Sequence, residues 1–275
     1  MSSFGLSGWT GLVIILIFLL LGIIGPVIAP HDPDVINPAQ NLAPPSWEYP
    51  LGTDNLGRCT LSRLLYGTRV SLGTAMVAAL VIAVAGITLG AVSGYYGGWL
   101  DVILMRIVDI LLAFPSLIVA LAIVGTLGAG IGNAMIGLIS IWWVGYARIV
   151  RGMVLAGREQ PYVLAAQAVG ARNQRVLWRH ILPNVIAPII VYATLELGQI
   201  ILALASLNFL GLGAQPPTSE WGSMLNAGRP FLQTAPQLMI YPGLTIALVV
   251  LGFNLFGDSL RDVLDPYLNE SRSRL

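Results

Sequence analysis

Six stretches of this chain are apolar for long enough to cross a lipid bilayer, and that requirement leaves few folds open. Inside hydrocarbon every backbone N–H and C=O must be satisfied within the protein, so a span is either a helix or a strand of a closed barrel. Runs of about twenty apolar residues suit helices, since a spanning strand needs only about half that length. The runs cover approximately residues 8–29, 71–95, 102–127, 133–154, 186–210 and 238–256, and Pro115 is expected to kink the third. Composition agrees. Apolar residues make up 56% of the chain and charged residues 10%, where a soluble domain carries about 25% charge; the mean hydropathy is +0.80. The expected fold class is an all-α polytopic membrane protein with six transmembrane helices.

The order of segments follows. Residues 1–29 form a first anchor helix: no basic segment precedes it, and Pro26-Val27-Ile28-Ala29-Pro30 is a poor cleavage site. Residues 30–69, rich in Pro, Asp and Asn, form a loop outside the membrane, with a short interfacial helix expected over 60–66. Residues 70–258 make a five-helix core interrupted by a polar loop at 156–184, and 259–275 form a polar tail. Gly86 and Gly90 form a G-x-x-x-G pair, and Gly73, Gly94, Gly137 and Gly198 are further small positions for close helix packing.

Arginine placement orients the chain. One side collects Arg106, Arg148, Arg151, Arg158, Arg172, Arg175, Arg179, Arg261, Arg272 and Arg274; the other holds Arg58, Arg63, Arg69 and Arg229. The positive-inside rule therefore predicts cytoplasmic termini and a cytoplasmic 156–184 loop. The loops at 30–69 and 214–235 then face outward.

The chain contains no lysine. A Walker A phosphate loop, whose lysine reaches the β- and γ-phosphates, is thereby excluded, as is Schiff-base chemistry. Any ATP that powers this protein binds to another chain. Cys59 is alone, so it makes no intrachain disulfide and no metal site by itself. His31 and His180 lack metal-ligand spacing, and a net charge of +1 offers nothing to nucleic acid. No metal or cofactor is expected in this chain.

The 156–184 loop has its own pattern. Pro161 is pre-organised for a first helical turn and Gly170 fits the left-handed position that ends one. Between them Ala165, Ala166 and Ala168 make a helix of low profile that could seat in another protein's cleft. A second helix is expected over 173–181, ending near Leu182 and Pro183, with Arg172, Arg175 and Arg179 available to a partner's carboxylates. An ordinary arginine-rich loop that only fixes topology explains the arginines. It does not explain the A-A-x3-G-x11-L-P spacing.

That spacing resembles the loop by which ABC importer permeases contact their ATPases. Four further motifs narrow the resemblance to the peptide and nickel importer permeases, in particular the C-type subunit of dipeptide and oligopeptide systems. They are Leu51-Gly52-Thr53-Asp54-Asn55-Leu56-Gly57-Arg58; Asp109 through Phe114-Pro115; Phe209-Leu210-Gly211-Leu212-Gly213 with Pro216-Pro217 and Trp221-Gly222; and Asn254-Leu255-Phe256-Gly257-Asp258 with Arg261-Asp262. Leu164 departs from the pattern, standing where many such permeases have glutamate, and His180 stands where isoleucine is usual.

The resemblance implies a type I importer permease in a prokaryotic inner or plasma membrane, without an ATPase site of its own. It would form half of a translocation pathway with a second, homologous permease. Two ABC ATPase subunits would bind ATP and Mg, and an extracytoplasmic solute-binding protein would deliver di- or oligopeptides; nickel chelates, glutathione and opines are alternative cargoes. Tyr162, Ala165, Ala166, Gly170, Arg175, Leu182 and Pro183 would carry the ATPase coupling.

Outside that loop, Glu196 falls near the middle of the fifth span, where an ionisable group is costly. It is either a pathway or gate residue, or a carboxylate that is protonated or paired with a partner's arginine. Asp109 and Asp258 are expected near the membrane boundary, paired with Arg106 or Arg261. Pro216, Pro217 and Trp221 are candidates for docking the binding protein, with Trp221 either contacting it or closing the outer vestibule, because tryptophan dominates interfaces when desolvated; the competing reading anchors Trp221 in the headgroup layer. A secondary carrier driven by ions should show inverted repeats and several charged, broken helices, and an intramembrane enzyme should show a metal or nucleophile motif. The sequence shows neither.

Overall fold

The structure, a computed structural model, describes residues 4–264. Arg272 and Arg274 of the tail, counted above for topology, lie outside them. The described residues form helices joined by irregular segments: α1 (Leu6–Ile28), α2 (Thr60–Tyr96), α3 (Gly98–Leu112), α4 (Ser116–Leu127), α5 (Ile131–Arg158), α6 (Pro161–Ala168), α7 (Asn173–Arg175), α8 (Leu182–Phe209), α9 (Trp221–Gly228) and α10 (Gln237–Leu264). A π-helical turn, Val176–Ile181, joins α7 to α8. Five helical runs are long and apolar enough to cross a membrane, and α3 with α4, bent by 89° at their junction, makes a sixth.

The third span departs from a simple kink. Pro115 has no N–H to donate and disfavours helical backbone at Phe114, so the helix ends at Leu112 and restarts at Ser116. The two halves still cross rather than return. At the start of α3, Asp101 accepts from Arg151 Nε and Nη2 at 2.5 and 2.6 Å, close to the α6 side of the bundle. Past the end of α4, Gly130 N–H donates to Leu212 C=O, 3.0 Å away, just beyond the other end of α8.

Two more helix boundaries differ from expectation. Residues 60–66 are not a separate interfacial helix but the first turns of α2, because nothing between Tyr66 and Ser71 breaks the pattern. At 37 residues, α2 is about 55 Å long, well beyond a hydrocarbon core of about 30 Å, and it rises past the bundle on the side opposite α6. The helix expected to stop near Pro183 instead continues, so that Asn173–Phe209 is one run. The π turn makes this possible: Leu182 N–H bonds to Leu177 C=O, five residues back, and the widened turn absorbs the proline that follows.

Backbone contact holds the bundle together. A β-carbon at Gly86 would lie 2.3 Å from Tyr146 Cβ, at Gly90 2.4 Å from the Ala147 carbonyl oxygen, and at Gly94 2.8 Å from that of Arg151. These three glycines, four apart, form one stripe on which α5 lies directly against α2. Gly11 and Gly252 do the same for α1 and α10. Gly73, expected at an interface, meets nothing within 4 Å in this chain.

Candidate functional site

The 156–184 loop is a short helix held on a narrow footing. Within α6 only Val163 is buried. It joins Val176, Leu177 and Ile181 of the π turn, Val150 and Val154 of α5, and Ala91 and Tyr95 of α2 in one apolar cluster. The Tyr95 hydroxyl donates to Asn173 Oδ1 at 3.1 Å, and the Arg158 guanidinium lies 5.8 Å from the Tyr95 ring while donating to Gly94 C=O. The loop is thereby fastened to the ends of α2 and α5, the helices joined by the glycine stripe.

The C-terminus of α6 explains Gly170. Its N–H donates to Gln167 C=O and the Ala171 N–H to Ala166 C=O, at 2.9 and 3.1 Å, which is the Schellman pattern. That pattern requires the left-handed φ of +84° seen at Gly170. Space does not: nothing in this chain lies within 4 Å of a β-carbon built there.

The residues selected from sequence divide between two faces. Tyr162, Ala165, Gly170 and Arg175 are exposed, as are Leu164, Ala168, Arg172 and Arg179; Ala166 is half-buried. Leu182 and Pro183 belong to the first turn of α8 rather than to a loop. Sequence reading missed the anchors Val163, Val176, Leu177 and Ile181. Their signal was present as the apolar residues on one face of an otherwise basic segment.

A second cluster lies at mid-depth. Glu196 is midway along α8 and shares a face with Tyr192, one turn earlier. Across from them, Trp142 and Tyr146 share a face of α5. The Tyr146 and Tyr192 rings meet edge to face at 4.7 Å, and Glu196 lies within reach of the Tyr192 hydroxyl and the Trp142 indole. Gly145 makes room, since a β-carbon there would stand 2.8 Å from the Tyr192 hydroxyl. Asp109 pairs with Arg148 of α5, not with Arg106, and both partners are more than half exposed. Among the described residues Asp258 and Arg261 form no ion pair with each other.

On the side opposite α6, Asp54 organises the preceding loop. One carboxylate oxygen accepts from the backbone N–H groups of Leu56 and Arg58; the other accepts from Arg58 Nε at 2.7 Å and Arg63 Nη1 at 2.5 Å. Burial pushes this carboxyl up, but Arg63, the Arg58 N–H and guanidinium and the Leu56 N–H outweigh it and hold it below the ordinary carboxylate range. Its stabilising contribution is therefore present above that range and lost as pH falls through the lowered folded-state value. Arg63 also reaches Ser219 Oγ, tying α2 to the segment before α9.

Trp221 is not a docking residue. It is fully buried, with its ring edge-on to Phe18, its indole N–H donating to Leu64 C=O at 3.4 Å and its backbone N–H to Ser71 Oγ at 3.2 Å. Neither a partner protein nor the headgroup layer can reach it. Glu220 before it caps α9 by accepting from Ser223 N–H at 2.8 Å, and Ser71 Oγ donates to the same carboxylate; burial pushes this carboxyl up. Pro216 and Pro217, by contrast, are exposed.

Residues 86–270 match the family described as binding-protein-dependent transport system inner membrane component, and residues 7–45 match the N-terminal TM domain of oligopeptide transport permease C. The chain is 47% identical over 256 residues to the dipeptide transport system permease protein DppC of Alkalihalophilus pseudofirmus, covering 93% of this chain and 84% of the relative. It is 43% identical to the Haemophilus influenzae protein of the same name, covering 94% and 90%. It is also 46% identical to the glutathione transport system permease protein GsiD of Pectobacterium atrosepticum, covering 82% and 74%.

Proposed function

Since this chain belongs to the binding-protein-dependent transport system inner membrane components, and is a permease subunit of an ABC importer in a bacterial membrane, we propose that its cargo is a di- or oligopeptide. The two dipeptide permeases among its relatives, matched over nearly the full chain, support this reading. Glutathione, itself a small peptide, is the second cargo, supported by the relative that carries it. A homologous permease completes the pathway, two ABC ATPases bind ATP and Mg on the α6 side, and a solute-binding protein docks on the opposite side, where Pro216 and Pro217 stand exposed. The α6 side is cytoplasmic, in keeping with its arginines.

The observation that carries the mechanism is an almost fully exposed helix rooted by one buried valine in the ends of α2 and α5. In this reading α6 seats in the ATPase, the small side chains of Ala165 and Ala168 let the two backbones approach, and the exposed Tyr162 meets the partner's surface. ATPase closure moves α6, and the rigid α2–α5 pair passes the motion to the span faces that line the pathway. The mechanism requires ATP-bound and ATP-free states to hold α6 differently.

Two tests follow from the loop. In Gly170→Leu the left-handed backbone is opposed by about 1–2 kcal/mol, and in Ala165→Trp a large ring stands on the seating face. Both variants are expected to keep the spans folded yet lower ATP-driven peptide uptake by about tenfold or more, read in proteoliposomes alongside co-purification of the ATPases. Wild-type uptake and co-purification in both would remove α6 from the coupling role. The chain purified alone is expected to hydrolyse no ATP, because it lacks the phosphate-loop lysine. Turnover that survives removal of the ATPase subunits would overturn that expectation.

A further inference from the structure

Glu196 stands about 20 Å along the helix axis from either end of α8. A lone carboxylate at such a depth must meet a proton or a cation. Among the described residues no arginine is paired with it; the four ion pairs involve Asp54, twice, Asp101 and Asp109. One of its oxygens is buried and has no hydrogen-bond partner, and the same holds for the hydroxyl of the almost fully buried Tyr146. Both residues belong to the cluster in which the Tyr146 and Tyr192 rings meet at 4.7 Å and Glu196 lies within reach of Tyr192 and Trp142.

That combination has a definite chemical preference. A primary ammonium brings three donors and no acceptor, and aromatic faces attract it further, the more so where water is scarce. A guanidinium is planar and larger, and a metal ion would need more ligands than one carboxylate and two phenols supply; no cluster of metal-binding side chains is found among the described residues. A cavity of about 650 Å³ reaches Tyr192 from the α6 side, between α5, α8 and α10, and is lined by Asn184, Pro188 and Arg261.

We propose that Glu196, Tyr146, Tyr192 and Trp142 form a mid-membrane station for the free α-ammonium group of cargo in transit. The inference rests on the peptide-import reading and deepens it: cargo would be selected within the membrane for an unblocked amino terminus, whatever its side chains. The carboxylate accepts the ammonium, the Tyr146 hydroxyl takes a second N–H, and the rings of Trp142 and Tyr192 close around it.

The test uses the complete permease–ATPase complex in detergent without its binding protein, so that delivery selectivity does not enter. An Ala-photoleucine dipeptide and its N-acetylated form are photolysed with the complex, and the label is located by mass spectrometry. Labelling centred on Trp142, Tyr146 and Tyr192 is expected with the free dipeptide, at least tenfold weaker with the acetylated one. Glu196→Gln should lower labelling by about tenfold and, in proteoliposomes supplied with the binding protein, peptide uptake by about as much, and Glu196→Asp should recover both to within about threefold. Equal labelling by the two probes overturns the station even if Glu196→Gln fails to assemble. Loss of uptake in Glu196→Gln without label at these residues in the wild type assigns the charge to a partner subunit's cation instead. Absence of ATP-driven peptide uptake by the wild type is a separate failure, and it strikes the import reading.

Discussion

Trp221→Ala is expected to destabilise the protein by about 3–5 kcal/mol, the range for deleting a fully buried large aromatic side chain. The indole fills the junction of α1, α2 and α9: Phe18 lies against it, Gly67 is so close that a β-carbon there would stand 3.1 Å from the ring, and Leu64 C=O accepts its N–H. Removal leaves a cavity, and the apolar groups around it cannot collapse far because Gly222 is pinned against the Ala205 carbonyl oxygen. The measurement is the thermal midpoint and yield of the assembled complex. Trp221→Phe, which keeps most of the volume and loses one hydrogen bond, should recover much of the loss. A Trp221→Ala complex of wild-type stability that fails only in binding-protein stimulation would contradict this account and restore a docking role.

Gly90→Leu should be as damaging, for a different reason. The added side chain meets the backbone of Ala147, with its β-carbon 2.4 Å from the carbonyl oxygen and 2.9 Å from Cα. A side chain can swing aside; a helical backbone moves only by separating α5 from α2. Overpacking in a core ordinarily costs about 1–3 kcal/mol, and a backbone obstacle puts this site at or above the upper end. Loss of assembled complex is the expected result. Gly73→Leu, on the same helix but facing open space in this chain, is the control and should leave the monomer's fold intact. Equal damage from both would mean that loss of glycine, rather than the α2–α5 contact, sets the cost.

Much of this protein was legible in its sequence because lipid imposes a simple demand. Runs of about twenty apolar residues must be helices, so the spans and the Gly86–Gly90 contact were accessible from residue type and spacing. The low-profile α6 and its Gly170 terminus were also accessible, since proline and glycine constrain backbone locally. The absence of lysine excludes a Walker A phosphate loop from this chain.

What the tertiary structure decided concerns partners and directions distant in sequence. Pro115 signals an interruption, but only packing against α5 turns it into an 89° break in a span that still crosses. Pro183 signals a helix end, and the π turn overrides it by shifting the hydrogen bonds before it. Asp109 finds Arg148, thirty-nine residues away, because α3 lies on α5, and no local rule prefers that arginine to Arg106. Trp221 reads as an exposed loop aromatic until α9 folds back under α1 and α2 and buries it. Glu196 was visible as a costly charge, but its meaning depends on Trp142 and Tyr146, brought to it from another helix. Periodicity and residue chemistry specify which face of a helix is apolar; which helix covers that face is a property of the assembled bundle.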